Sequence, residues 1–252
     1  MLSHYTLLIW FLSLGLVNTS CDSEQLPEEE PTVLVFSKTD GFYHKSIPDG
    51  QEAIFKLGQE NGFQVDTTSS ADAFTNVNLK QYAAIIFLNT TGDVLNEAQQ
   101  NAMEQFIQND GGFVGIHSAA DTEYDWEWYG RLVGAYFKDH PAVQSADLYI
   151  QDTNHPATHM LPEKWQRKDE WYNYKDVYQG IQVLITIDEG SYKGGGNGEW
   201  HPIAWYHQFD GGRSFYTGMG HTPESYKEKL FLDHLLGGIS YAIYGDDTLM
   251  KD

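Results

Sequence analysis

One cysteine, Cys21, is all that the 252 residues contain, so no internal disulfide can staple the fold. Basic residues are scarce too: 15 Lys and Arg stand against 36 Asp and Glu, a formal charge of −21. That balance argues against nucleic acid or an anionic lipid surface as the partner. The apolar run "LLIWFLSLGLV", residues 7–17, is too short to span a bilayer. There is no internal repeat, no sign of a second domain, and no compact metal motif such as H-E-x-x-H. What is present is the composition of a folded globule, 41% hydrophobic and 14% aromatic, which disfavours disorder beyond the ends.

The short apolar run is followed by "NTS" and then Cys21, the layout of a bacterial signal peptide ending at a lipidated cysteine. The alternative is a plain secretory signal with an incidental cysteine. The acidic, proline-containing "DSEQLPEEEP" then reads as a flexible tether. The expected organisation is a signal at residues 1–21, a tether at 22–31 and one domain at 32–245, exported and lipid-anchored to a bacterial membrane. The sequence is compatible with a homo-oligomer and does not specify one.

Along the domain, "TVLVFS" (32–37), "YAAIIFL" (82–88) and "GFVGI" (112–116) are continuous apolar runs, as expected for strands buried on both faces. "FQVDTT" predicts a further short strand. Between them, Pro48 opens a helix that stops at Asn61-Gly62, and residues 96–109 carry apolar side chains at helical spacing. Alternating strands and helices predict an α/β fold, a parallel sheet with helices on both faces. After residue 124 the pattern changes. A short aromatic helix, the strand-like "ADLYIQD" and "IQVLITID", and a hairpin around "DGG" precede a final amphipathic helix ending near Gly245. "KGGGNGEW" (193–200) reads as a flexible loop, a candidate lid.

In such a sheet, ligands bind at the carboxyl ends of the strands. Three histidines stand there: His44 after the first strand, His117 in "GGFVGIHSAADTEY" after the fourth, and His221 after the last. Asp40 shares the first loop, Asp121, Tyr124 and Trp126 follow His117, "DEWYNY" carries Glu170, Trp171 and Tyr172, and "EWHPIAW" carries His201. Trp and Tyr beside carboxylates suit a sugar, whose apolar face stacks while its hydroxyls take charged hydrogen bonds. Each has a plainer alternative. Asp121 serves equally as a helix cap, Glu170 as a partner of Arg167 or Lys168, and the aromatics as core. His140 and His155, each before a proline, read as loop histidines, as do His159, His207 and His234.

The blocks "TDGFYHKSIP", "GGFVGIHSAADTEYDWEWYGRLVGAYFKDHP", "DEWYNY", "HPIAWYHQFDGGRSFYTGMGHTPESY" and "FLDHLLGGISYAI" resemble, in order, those of the trehalose-utilisation (ThuA-like) family. The resemblance covers residues 32 to about 244. It implies a flavodoxin-like fold similar to the class I glutamine amidotransferases, with the hairpin near the C-terminus. Those enzymes carry "GICxG" at a nucleophile elbow and "FHPE" at the triad histidine. Here "GIHSA" and "GHTPE" stand instead, so His117 replaces the nucleophilic cysteine and His221 keeps the triad histidine's place. Glutaminase chemistry through a thiolate is excluded, since the domain holds no cysteine.

The resemblance also implies carbohydrate catabolism, with a disaccharide-derived or keto-glycoside substrate undergoing elimination, isomerisation or hydrolysis. In this reading His117 and His221 form the acid–base pair and Glu170 orients one of them. His44, Asp40, Asp121, Tyr124, Trp126, Trp171, Tyr172 and His201 bind substrate. Two alternatives stay open: a non-catalytic sugar-binding lipoprotein, and a metal-dependent hydrolase with a divalent ion at His44, His117 and His221.

Overall fold

A computed structural model describes Met1 and residues 30–245. The predicted signal, Cys21 and most of the tether lie outside the described residues. Among the described residues, no helix is long and apolar enough to cross a membrane.

The chain begins with β1 (Thr32–Phe36), α1 (Ile47–Asn61), β2 (Gln64–Thr68), the single turn α2 (Asn76–Leu79), β3 (Ala84–Leu88), α3 (Glu97–Gln108) and β4 (Gly112–Ile116). These match the expected alternation. β3 and β4 are buried at every position, as strands covered on both faces must be. Pro48 sits in the first turn of α1, and Gly62 ends it in the left-handed conformation that glycine tolerates. Asn96 and Gln99 form a reciprocal capping box that starts α3.

The second half holds α4 (Glu127–Val133), β5 (Tyr136–Asp139), β6 (Gln144–Ile150), β7 (Lys164–Asp169), β8 (Asn173–Lys175), β9 (Gln182–Ile187), β10 (Pro202–Phe209), β11 (Gly212–Thr217) and α5 (Lys229–Tyr244). Nine strands form one sheet in the order β2-β1-β3-β4-β11-β10-β9-β6-β7, and β5 pairs with β8 apart from it. β2, β1, β3, β4 and β11 are mutually parallel; β10, β9, β6 and β7 continue antiparallel, strand by strand. The β10–β11 hairpin therefore lies inside the central sheet: β11 runs beside β4, in register Thr217 to Ile116.

Successive residues of β11 show that both faces are covered. Arg213 donates to the Ala242 carbonyl of α5, Ser214 donates to the Leu132 carbonyl of α4, and Phe215 packs on His234 of α5. The period of two along a strand puts α4 on one face and α5 on the other.

Candidate active site

The carboxyl ends of β1, β4 and β11 converge. His117 leaves β4 with φ +50°, a left-handed conformation uncommon outside glycine. It is the strained strand-to-turn geometry that exposes a nucleophile in other α/β enzymes, here presenting an imidazole. Its Nδ1 lies 2.9 Å from the Gly218 carbonyl. A carbonyl only accepts, so Nδ1 carries a proton; in the neutral ring Nε2 then turns its lone pair to the site. His44, buried in the loop after β1, has its Nδ1 3.3 Å from Ser118 Oγ.

His221 is held through its backbone. The Asp169 carboxylate accepts the N–H groups of Gly220 at 2.9 Å and His221 at 3.1 Å. Asp169 ends β7, four strands from β11. In a flat sheet that is about 19 Å. Three residues past β11 reach only about 10 Å. The antiparallel half must therefore curl back over the parallel half. Buried Arg167 pairs with Asp169 at 3.2 Å and lies over the Phe231 ring of α5, which pins the curled edge.

The curl delivers Glu170, the next residue. Its Oε2 is 3.1 Å from His221 Nδ1 and 3.4 Å from His117 Nε2, and those two nitrogens are 3.1 Å apart. The rings of His44, His117 and His221 sit at 5.0, 5.1 and 5.1 Å between centroids, steeply inclined to one another. One donor atom from each histidine and from Glu170 falls within 4.8 Å of all the others.

Burial and mutual charge set the ionisation. Burial drives His44 down to about 2, helped by His117 and His221, so it is neutral at ordinary pH. Burial alone would raise Glu170, but hydrogen bonds and charge from His117 and His221 outweigh it and hold the carboxyl well below its usual range. Burial opposes protonation of His221, yet the Glu170 carboxylate prevails and raises it.

Of the expected site residues, His44, His117, His221 and Glu170 come together. Tyr172 joins as buried support, its ring 4.2 Å from His117. Asp121 is a near neighbour, raised by burial and opposed by the Tyr124 hydrogen bond and by charge on His117 and His140. Tyr124 donates to it at 2.6 Å. Asp40 is exposed on the loop that carries His44, outside the cluster.

Three assignments are corrected. Trp171 is fully buried and donates to the Gln144 carbonyl, so it is core. Trp126 stacks on Trp128 and donates to Glu104 of α3, away from the histidines. His201 is fully buried between Glu189 and the Tyr172 carbonyl, a structural tie with no face toward the site. The glycine-rich loop is tied down: Asn173 Oδ1 accepts from Gly196, and Glu189 accepts from Asn197 and Gly198.

Two neighbours of the cluster escape sequence reading. His140 follows β5 and places Nδ1 3.1 Å from Glu170 Oε1, the oxygen that His117 and His221 leave free. The signal was the four-residue strand "YFKD", too short to stand out. Asp169 sits in the charged "RKDEW" and is nonetheless fully buried.

A ThuA-like protein from Bacteroides uniformis ATCC 8492 superposes with a TM-score of 0.75 at 22% identity, over 92% of this chain and 100% of its own. A ThuA-like protein from Parabacteroides merdae ATCC 43184 gives 0.73 at 19%, over 85% and 91%. A β-galactosidase from Bacillus circulans sp. alkalophilus gives 0.59 at 14%, over 84% of this chain and 31% of its own. These likenesses show the fold. No curated protein matches the sequence. The family model for ThuA, trehalose utilisation, matches residues 32–242. With the expected blocks in place and the predicted sheet beneath them, the chain belongs to the ThuA family, a family of carbohydrate metabolism.

Proposed function

We propose that the protein converts a sugar ketone, in the first instance a 3-keto-glycoside, by proton transfer at the His117–His221–Glu170 cluster. The observation that carries this reading is the triangle of His117 Nε2, His221 Nδ1 and Glu170 Oε2 at 3.1–3.4 Å. A carbonyl at C3 acidifies the C2 hydrogen. His117 Nε2, bare because Nδ1–H is held by Gly218, removes that proton. The C2–H pair forms the C1=C2 bond as the C1–O bond breaks. The departing oxygen takes a proton from His221, whose protonated form Glu170 stabilises. The family's link to trehalose use supports the substrate class.

The test is turnover of 3-keto-glucosides by the purified protein, followed as release of the aglycone. His117→Ala and His221→Ala should each lower kcat/KM by about 10²–10⁴. Unchanged turnover in both variants rejects the assignment. We propose further, on the apolar run at residues 7–17 followed by Cys21, that the domain is exported, anchored at Cys21 and spaced from the membrane by residues 22–31.

A further inference from the structure

With the rings neutral, the cluster is one proton short. His117 spends its ring proton on the Gly218 carbonyl, leaving Nε2 as a lone pair. His221 Nδ1 can carry one proton, and it faces two acceptors at equal range: His117 Nε2 and Glu170 Oε2, both at 3.1 Å. In that neutral state Glu170 Oε2 and His117 Nε2, 3.4 Å apart, are two electron-pair donors turned toward one point. Buried polar atoms left so are costly. A central cation satisfies all three at once.

The spacing has the right size. Ligands held at 2.0–2.1 Å in a tetrahedron stand about 3.3 Å from each other. The observed edges are 3.1, 3.1 and 3.4 Å. His44 adds a further ring nitrogen within 4.8 Å. Three of the donor side chains have a partner of the kind that orients metal ligands, and the fourth donor, His221, is held through its backbone. Gly218 O fixes His117, Ser118 Oγ meets His44, Asp169 fixes the His221 backbone, and His140 Nδ1 meets the second oxygen of Glu170.

We infer that His117, His221 and Glu170, with His44 as fourth donor, form a binding site for one first-row divalent cation, zinc by its donor set. Imidazole-rich sites disfavour calcium and magnesium, which take oxygen. Three neutral imidazoles and one carboxylate leave a bound dication with net charge of +1. Such a centre would polarise the ketone oxygen of a sugar as a Lewis acid. The inference rests on this cluster being the working site and replaces the free-imidazole step: with the ion bound, His117 Nε2 and His221 Nδ1 would be ligands, and the ion instead of the two imidazoles would activate the ketone.

The experiment uses the full chain, stripped with EDTA and titrated with zinc chloride by calorimetry and with cobalt(II) chloride by visible absorption. One equivalent should bind with submicromolar Kd, and cobalt should give d–d bands. Glu170→Gln, His117→Gln and His221→Gln should each weaken binding by about 100-fold. His159→Ala, an exposed loop histidine, should leave it unchanged. X-ray absorption of the zinc-loaded unmutated chain, which needs no variant to fold, should show at least two imidazole ligands. No stoichiometric binding at about 1 mM metal, the millimolar limit of weak affinity, overturns the site. So does binding untouched by Glu170→Gln and His221→Gln. Zinc binding without keto-glycoside turnover removes the reaction and keeps the site. Turnover that persists in EDTA-stripped protein overturns the ion's role in the reaction and keeps the free-imidazole step.

Discussion

His117 Nε2 stands 3.1 Å from His221 Nδ1, although 104 positions separate the two residues in the chain. The pairing of β4 with β11 makes this possible. Thr217 lies beside Ile116, so the two strands end level, and each is followed at once by its histidine loop. His117 itself stands at a strand-to-turn elbow in a left-handed conformation, φ +50°, which turns its ring toward the His221 loop.

His140 is expected to work through Glu170. Its Nδ1 lies between Glu170 Oε1 at 3.1 Å and the Pro141 carbonyl at 2.9 Å, and its side chain is 42% exposed, so it lies at the mouth of the cluster. His140→Ala should lower kcat by about tenfold to 100-fold with a smaller change in KM. His140→Gln, which can still donate to Oε1, should recover part of that loss. Equal effects of Ala and Gln would show that the contact does not position Glu170.

Asp169 binds the fold and the site together. It pairs with buried Arg167 and accepts the backbone N–H groups of Glu170, Gly220 and His221. Asp169→Asn leaves a buried guanidinium undercompensated and should cost about 3 kcal/mol or more. Denaturant unfolding reads this directly. A loss near zero would mean that Glu228, 3.2 Å from Arg167, suffices alone.

Acid should destabilise the protein well before its carboxylates titrate. Burial lowers His155 and His207 to about 4 and His234 to about 3, from 6.5 in the unfolded chain. Between these limits the unfolded chain binds protons that the folded chain refuses. Stability is therefore full above pH 6.5 and falls as pH drops toward 4. The slope approaches about 1.4 kcal/mol per pH unit for each histidine. His44 adds to this and His221, raised in the fold, subtracts. Unfolding midpoints at pH 7, 6 and 5 should decline with increasing steepness; a level profile would contradict the burial of these rings.

The proposed membrane anchor is tested at Cys21. In a bacterial host, Cys21→Ala should move the protein from the membrane fraction to the soluble exported fraction. Retention in the membrane by the variant would eliminate lipidation at this residue.

The site's two halves differ in how far sequence exposes them. His117 follows a continuous apolar run and His221 follows the second strand of a hairpin marked by its DGG turn, and strand ends are where α/β sheets bind ligands. Glu170 was a candidate for its aromatic neighbours, not for its place in the sheet. Its strand, β7, reads "KWQRKD", and the residues that face inward are Trp165, Arg167 and Asp169. Two of these three are charged, so period-two alternation of apolar residues is lost. Trp171 and His201 carried the opposite misreading. Aromatic and imidazole groups near a site look functional in a linear sequence, yet both are satisfied by backbone carbonyls inside the core.

Local patterns alone thus determined the parallel half of the sheet, its helices, their caps, and the loops that hold His44, His117 and His221. Each follows from burial periodicity or backbone preference within a few residues. Only the tertiary structure decided that the antiparallel half curls back and places Glu170 and His140 against those histidines. That closure depends on the Arg167–Asp169 pair, the Arg167–Phe231 contact and the Asp169 bonds to the His221 loop. Such partners lie up to 64 residues apart, and a buried charge is tolerable only once its partner is in place.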